Sequence, residues 1–422
     1  MANPRLLSAK ILQKILEEKV FFGDLKKQIP EKDLPFCNML LLTSLRRLTA
    51  IKQILRGYLS KKIPNKHRLA EYLLLNAITE ILYMETAEYA VINETVKNIR
   101  NSCDKFLGGL ANAVLRKVCQ QKNELLQQAD TINPLPDSFS EILAGYAPEQ
   151  IAKIASAVFN IPALDISVKS DPQTWAEKLS AELLPSGSLR LYNPPRVQQL
   201  PEYNAGTWWV QDAAAALPVM VMGDIFAKKV IDLCAAPGGK TAQLCAKGAE
   251  VTALDISPAR LETLQQNMQR LGFTGIKTRA IDALEYLHTA TEQFDAVLLD
   301  APCSATGTFR RHPEVLHIKN RQDVSEQAAL QKELLAECEK VLKVGGILVY
   351  SVCSISQDEG ERQIAAFLQT HPNFRLVPIT AAEIAPYGTF FDDLIINDTV
   401  RTLPYYQNGM DAFFICKMQR II

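Results

Sequence analysis

No stretch of this sequence approaches the roughly 18 consecutive apolar residues that a membrane-crossing helix needs. The first twenty residues also lack the apolar core of a signal peptide, because Arg5, Lys10, Lys14, Glu17, Glu18 and Lys19 interrupt them. The expectation is a cytoplasmic chain with no membrane partner. Cys-x-x-Cys is missing as well: the tightest spacing among the nine cysteines is Cys234 to Cys245. That excludes the usual paired-thiolate zinc signatures and leaves the expectation of no metal. An odd cysteine count without a secretory signal reads as free thiols in a reducing compartment, not as a disulfide framework. Internal repeats and low-complexity tracts are absent.

Net charge is lacking too, with 46 Lys and Arg against 46 Asp and Glu, but the balance hides an asymmetry. Residues 1–130 hold 21 Lys and Arg against 13 Asp and Glu, and the rest of the chain carries the compensating acidic excess. The bases concentrate at Arg46, Arg47, Lys52, Arg56, Lys61, Lys62, Lys66 and Arg68, where a phosphate backbone could displace counterions. A solvated helix face accounts for the same pattern equally well.

At 422 residues the chain has room for two to four domains of the usual size. Residues 1–130 show apolar positions at helical spacing, as in Leu7, Ile11, Leu12, Ile15 and Leu16, which predicts an all-helical bundle. Residues 131–140, with Asn133, Pro134, Pro136, Asp137 and Ser138, have the composition of a linker. Residues 141–205 read as a small α/β segment. In residues 206–422, apolar β-rich runs such as Lys229 to Cys234, Glu250 to Asp255, Phe294 to Asp300 and Gly346 to Cys353 alternate with helical stretches. That pattern predicts a doubly wound sheet with its ligand site beyond the carboxyl ends of the strands.

The sharpest feature is Val230 to Thr241, an apolar strand ending in a loop, Cys234, Ala235, Ala236, Pro237, Gly238, Gly239 and Lys240, that opens a helix. Small side chains let a ligand approach the backbone, and free N–H groups at a helix start suit an anionic group. A second strand ends at Asp255, where a carboxylate can accept hydrogen bonds from ribose hydroxyls. This combination describes a nucleoside-containing cofactor. Gly239-Lys240-Thr241 imitates a P-loop, but that motif requires Gly five residues before its terminal glycine, and position 234 is Cys. Asp282, after Ile276 to Ile281, is placed to meet an adenine, with a surface-loop acid as the bland alternative.

Two cysteines fall at the ligand-binding edge: Cys303 after the strand ending at Asp300, and Cys353 after the run Gly346 to Val349. A thiolate added at C6 of a cytosine makes C5 nucleophilic, and the thiol must afterwards be expelled. One cysteine can attack while another polar group helps elimination. Asp300 could hydrogen-bond the amine and N3 edge of a flipped cytosine. Cys37, Cys103, Cys119, Cys245, Cys338 and Cys416 read as small buried hydrophobes. His312 and His317 read as polar loop residues.

Taken together, these residues resemble the RNA cytosine-5 methyltransferases, and among them the bacterial RsmB/Sun/Fmu group with a NusB-like N-terminal domain. Cys234 to Lys240 resembles the CAAPGGK cofactor loop, Asp300 to Ser304 the DAPCS motif, and Cys353-Ser354 the end of the TCS motif. Ala90 to Val96 and Asn112 to Arg116 fit the NusB-like pattern, Val210-Gln211-Asp212 the approach to the first sheet helix, and Asp411 to Phe414 the late DGFF strand. The sequence departs from the pattern at Val352, Ala214 and Ser167-Val168-Lys169.

The resemblance implies a multidomain chain: an all-α NusB-like bundle, a small α/β segment and a Rossmann-like class I methyltransferase domain. It implies S-adenosyl-L-methionine as cofactor, contacted by Cys234 to Lys240, Asp255, Asp282 and Asp300. It assigns Cys353 as nucleophile, Cys303 to product release, Asp300 to the base and cofactor pocket, and Lys240 to the neighbourhood of that acid. The partner it implies is 16S rRNA or a small-subunit assembly intermediate, bound by a monomer. In DNA cytosine methyltransferases the Pro-Cys cysteine attacks, which would reverse the two roles. An RNA-binding assembly factor with a vestigial methyltransferase fold is the non-enzymatic alternative.

Overall fold

The computed structural model describes residues 3–422, which fall into two compact units. The helical unit takes the chain up to Glu141, then Tyr146–Asn160 and Phe309–Asn320; the α/β unit takes Ile142–Gly145, Ile161–Thr308 and Arg321–Ile422. No helix among the described residues is long and apolar enough to cross a membrane.

The helical unit begins with helix Pro4–Glu18, whose first turn is capped by the Asn3 side chain accepting from the backbone of Arg5 and Leu6. Its centre is helix Arg68–Tyr83, in which twelve of sixteen residues are buried, so its polar positions need internal partners. They have them. The Ser44 hydroxyl lies 3.0 Å from Asn76 Oδ1 and 2.9 Å from Thr79 Oγ1, and Glu80 receives a two-pronged bond from Arg5 at 2.6 and 2.9 Å. Around this helix pack Leu34–Arg46, Leu48–Tyr58, Glu88–Ser102 and Leu107–Gln120.

The structure divides the chain differently from the sequence expectation of a linker over 131–140. Leu135 and Phe139 are buried, a short helix spans Asp137–Ser140, and Phe139 meets Phe309 edge to face at 5.9 Å. Helix Pro148–Ala157 also belongs to the helical unit. Of the prolines that read as linker punctuation, Pro136 is the N-cap of helix Asp137–Ser140, where the missing N–H costs nothing, and Pro134 lies in a bend before it. A boundary at 206 would also leave residues 309–320 with the catalytic domain. Instead Ile318 joins the helical core, His317 Nε2 lies 2.8 Å from the Leu45 carbonyl, and Glu314 accepts from the Phe22 N–H at 3.1 Å.

The α/β unit carries two sheets. The smaller is antiparallel, in the order β2 (Glu182–Leu183), β3 (Leu189–Leu191), β1 (Leu164–Val168), β4 (Trp208–Val210). Arg190 on β3 grips Asp165 on β1 through two bonds of 2.7 Å.

The larger sheet runs β11 (Ile395–Ile396), β12 (Thr399–Arg401), β13 (Phe414–Arg420), β9 (Leu342–Val352), β8 (Phe294–Asp300), β5 (Lys229–Asp232), β6 (Glu250–Asp255), β7 (Lys277–Ala280), and β10 (Phe374–Leu376) pairs with β13. From β9 to β7 all pairings are parallel, whereas β13 enters antiparallel beside β9. Val297, Leu298, Leu299, Leu348, Val349 and Tyr350 are fully buried, as parallel strands covered on both faces require. Register decides which loops become neighbours. Asp300 at the end of β8 lies opposite Ser351 on β9, so the loops that carry Cys303 and Cys353 leave adjacent strand ends.

Candidate functional site

The cofactor-type loop leaves β5 at Asp232 and enters helix Gly239–Ala246. Gly238 adopts a φ of 103°, a conformation side chains rarely accept, and a Cβ there would press on Leu264 at 2.9 Å. The loop is fastened from the next strand. Asp255 accepts from the Ala236 N–H at 3.2 Å and the Ser257 N–H at 3.0 Å, while Arg260 and Asn267 donate to the carbonyls of Ala236 and Pro237 at 2.5 and 3.0 Å. Beneath it, Asp232 accepts the Thr241 hydroxyl at 2.8 Å, but its other oxygen, Oδ1, is buried without a hydrogen-bond partner. Burial pushes the Asp232 carboxyl up to about 7. Burial likewise raises the thiol of Cys234.

Asp282, expected near an adenine, caps helix Ala283–Thr289, accepting from the N–H groups of Leu284 and Glu285 at 2.9 and 3.1 Å. Both bonds go to Oδ1, so the cap engages one oxygen of the carboxylate.

Asp300 ends β8 between two donors: Lys240 Nζ at 2.7 Å and the Ser351 hydroxyl at 2.8 Å. Its side chain remains 28% exposed, so the carboxylate is oriented without being sealed. Lys240 also stands over the ring of buried Phe413, 5.1 Å from its centre. The loop after β5, the acid at the end of β8 and Phe413, just before β13, thus converge on one ammonium.

The two cysteines singled out from the sequence come together, with Sγ atoms 3.2 Å apart. Both are partly buried. The neighbouring Cys353 sulfur, and then burial, push the Cys303 thiol well above its ordinary range, so Cys303 holds its proton. Around the pair lies a polar network that sequence reasoning missed. Ser304 and Ser354, the residues after the two cysteines, both donate to Glu359 at 2.5 Å, and Gln331 adds a bond to the same carboxylate at 2.9 Å. The Gly307 N–H donates to the Cys353 carbonyl at 3.0 Å. The one sequence signal for this network is the serine following each cysteine; nothing in the spacing singles out Glu359 or Gln331.

The basic residues singled out in the N-terminal region divide into two groups. Arg46 donates to the Arg310 carbonyl at 2.9 Å, and its guanidinium, like the ammonium of Lys52, is shifted downward by burial. Arg47 lies over Phe159 and Tyr83, at 3.8 and 4.7 Å from their ring centres, and pairs with Asp130. Arg68 pairs with Glu17 at 3.1 Å. Arg56, Lys61, Lys62 and Lys66 are exposed.

A family model described as 16S rRNA methyltransferase RsmB/F matches residues 224–419, and one for the NusB family matches residues 2–120. Ribosomal RNA small subunit methyltransferase B of Yersinia pestis bv. Antiqua (strain Angola) is 32% identical over 435 aligned residues, which cover 99% of this chain and 98% of that protein. Among solved structures, PH0851 superposes with a TM-score of 0.78 at 23% identity over 99% of both chains. NSun6 from Pyrococcus horikoshii with SFG gives 0.55 at 20% identity, over 68% of this chain and 98% of that one. At those identities the two structures speak for the fold, while the curated relative extends along the whole chain. On that full-length likeness and the two family matches, the chain belongs to the RsmB/F family of 16S rRNA methyltransferases and carries a NusB-family region at its N-terminal end.

Proposed function

We propose that this protein transfers a methyl group from S-adenosyl-L-methionine to C5 of a cytosine in 16S rRNA, with Cys353 as nucleophile. The observation that carries the reading is the pair of sulfurs 3.2 Å apart beside Asp300 and Lys240 at the carboxyl ends of two neighbouring strands. Single-thiol nucleophiles need no partner of this kind, but an addition followed by an elimination has separate work for each sulfur.

The residues of the glycine loop fit the cofactor. Gly238 keeps clear a backbone position that a side chain would crowd, the loop opens a helix, and Asp255 stands beside it. Bound there, S-adenosyl-L-methionine would supply an electrophilic methyl group on a sulfonium, whose sulfur would keep the electron pair of the broken S–CH3 bond and leave as the thioether S-adenosyl-L-homocysteine.

Cys353, as thiolate, adds to C6 of the base, and C5 becomes nucleophilic enough to take the methyl carbon. The C5 proton then leaves to solvent, the C6–S bond breaks, and the electron pair returns to the Cys353 sulfur. Cys303, which holds its proton, offers an S–H to that departing sulfur and favours release. Asp300, fixed by Lys240 and Ser351, meets the amine and N3 edge of the base. Exposed bases of the helical unit supply sequence-independent attraction to the RNA.

The test is radiolabel transfer from S-adenosyl-L-methionine to unmodified 16S rRNA transcript or to small-subunit particles, followed by bisulfite mapping of protected cytosines. Protection of one cytosine is the expected result. Label on a base other than cytosine, or no label on either substrate, overturns the proposal.

A further inference from the structure

Glu359 is fully buried, yet it sits among hydroxyls and amides that all belong to the cysteine loops or to the residue bracing them. Its Oε1 accepts from the Ser304 N–H at 2.8 Å and from Gln331 Nε2 at 2.9 Å. Its Oε2 accepts from the hydroxyls of Ser304 and Ser354, both at 2.5 Å. Gln331 in turn donates to the carbonyl of Pro302, immediately before Cys303, and accepts from Tyr350 on β9. Thr306 closes the group, 3.0 Å from both serine hydroxyls, and accepts from the Ile355 N–H. A buried carboxylate is costly to desolvate, and well-packed apolar residues would hold two loops together at least as stably. Its two serine donors share one property. They directly follow Cys303 and Cys353.

The two cysteines do not depend on this carboxylate equally. Cys353 follows directly on β9, whose last residue, Val352, is paired with Phe414 on β13. Cys303 follows β8 after two residues that belong to no strand, Ala301, whose N–H still donates to the Ser351 carbonyl at 2.9 Å, and Pro302; beyond Ala301 the loop is held by the two bonds from Ser304 to Glu359 and by the Gln331 bond to Pro302. We propose that Glu359 is a positioning residue for the release half of the reaction: by tying Ser304 and Ser354 to one carboxylate, it holds the Cys303 thiol against the Cys353 sulfur. The proposal rests on the assignment of Cys353 to attack and Cys303 to release. The charge of Glu359 also opposes loss of the Cys303 proton, which keeps that thiol a donor.

Glu359→Gln leaves Oε1 an acceptor for the Ser304 N–H and Gln331 but replaces Oε2 with an NH2 that the serine hydroxyls can no longer donate to. Ser304→Ala removes one tether only and covers the case in which Glu359→Gln does not fold. Both are compared with Cys303→Ala and wild type, using unmodified 16S rRNA transcript and labelled S-adenosyl-L-methionine. Turnover in the two variants should fall by about tenfold to hundredfold, the scale of loss for a displaced catalytic group. The first methyl transfer should still occur, and a denaturant-stable enzyme–RNA adduct should accumulate as in Cys303→Ala. Turnover within about twofold of wild type in both variants, or loss of the first methyl transfer without adduct, overturns the role of Glu359. An adduct in Cys303→Ala and none in either variant overturns it alone. No adduct in Cys303→Ala overturns the cysteine assignment beneath it and this proposal together.

Discussion

The sulfur of Cys303 lies 3.2 Å from that of Cys353, across the ends of the paired strands β8 and β9. Under the proposed function, this contact would let the two sulfurs divide attack and release between them. Cys353→Ala should abolish methyl transfer and adduct formation while leaving S-adenosyl-L-methionine affinity unchanged, as read by calorimetry. Cys303→Ala should form adduct and stall, as read by denaturing electrophoresis. Adduct loss in Cys303→Ala with adduct retained in Cys353→Ala would reverse the roles.

Lys240, at the start of the helix after β5, reaches Asp300 across 2.7 Å. Lys240→Met keeps the stem over Phe413 but leaves the carboxylate short of a charge-assisted donor. Methyl transfer should drop by on the order of a hundredfold. Thermal melting should move little, since Asp300 keeps the Ser351 hydroxyl and access to water. An unaltered rate constant would remove Lys240 from the site.

Gly307 donates to the Cys353 carbonyl and accepts from the Ala412 N–H at 2.9 Å. A Cβ at this position would lie 2.0 Å from the Ala412 carbonyl oxygen, a backbone atom that cannot swing aside. Gly307→Ala should therefore cost about 1–3 kcal/mol in urea denaturation and reduce activity with it. A variant as stable as wild type would mean that the loop shifts freely against Ala412.

Asp232 titrates near 7 when folded because it is buried, against an ordinary value near 3.8 when unfolded. Between those values the folded chain holds the extra proton, so this group favours folding at low pH and that advantage declines as pH rises toward 7. The slope contributed is at most about 1.4 kcal/mol per pH unit. Asp232→Asn, which still accepts the Thr241 hydroxyl, should flatten the decline in denaturant midpoints between pH 4 and 7. An unchanged slope would place the titration elsewhere.

The exposed bases Arg56, Lys61, Lys62 and Lys66 should act on RNA through charge. Replacing Lys61, Lys62 and Lys66 by Gln should weaken 16S rRNA binding and lower the salt slope by about 0.7–0.9 for each phosphate no longer neutralised, with no change in melting. Arg47→Ala should instead lower the melting temperature, because its guanidinium covers two rings and pairs with Asp130. A salt slope that ignores the three lysines would move RNA binding to another face.

Local chemistry was legible in the sequence wherever it sat on consecutive residues. The run from Val230 to Thr241 displays its strand, its glycine turn and its helix start in order, and the structure has each. Cys303 and Cys353 could be placed at strand ends because β8 and β9 are near-continuous apolar runs. What pairs across the sheet was not legible. The Asp300 to Ser351 register, and with it the meeting of the sulfurs, depends on strand order rather than on spacing. Glu359 looks like one more acid in a polar stretch, since burial is a property of the packing around it. The basic cluster shows the converse: Arg46, Arg47 and Lys52 read as charges, but folding draws them into bonds, rings and low dielectric.

Between Phe309 and Asn320 the polypeptide returns to the helical unit after beginning the α/β one, and Phe309 and Ile318 are built into its interior. The first unit is therefore not a bead that can be snipped from a string. A fragment ending near residue 130 would be born with a hole where an isoleucine belongs. Grafting a foreign helical module in its place would demand that the returning stretch between Cys303 and Cys353 come with it, so the two halves of this chain can be exchanged only in a set.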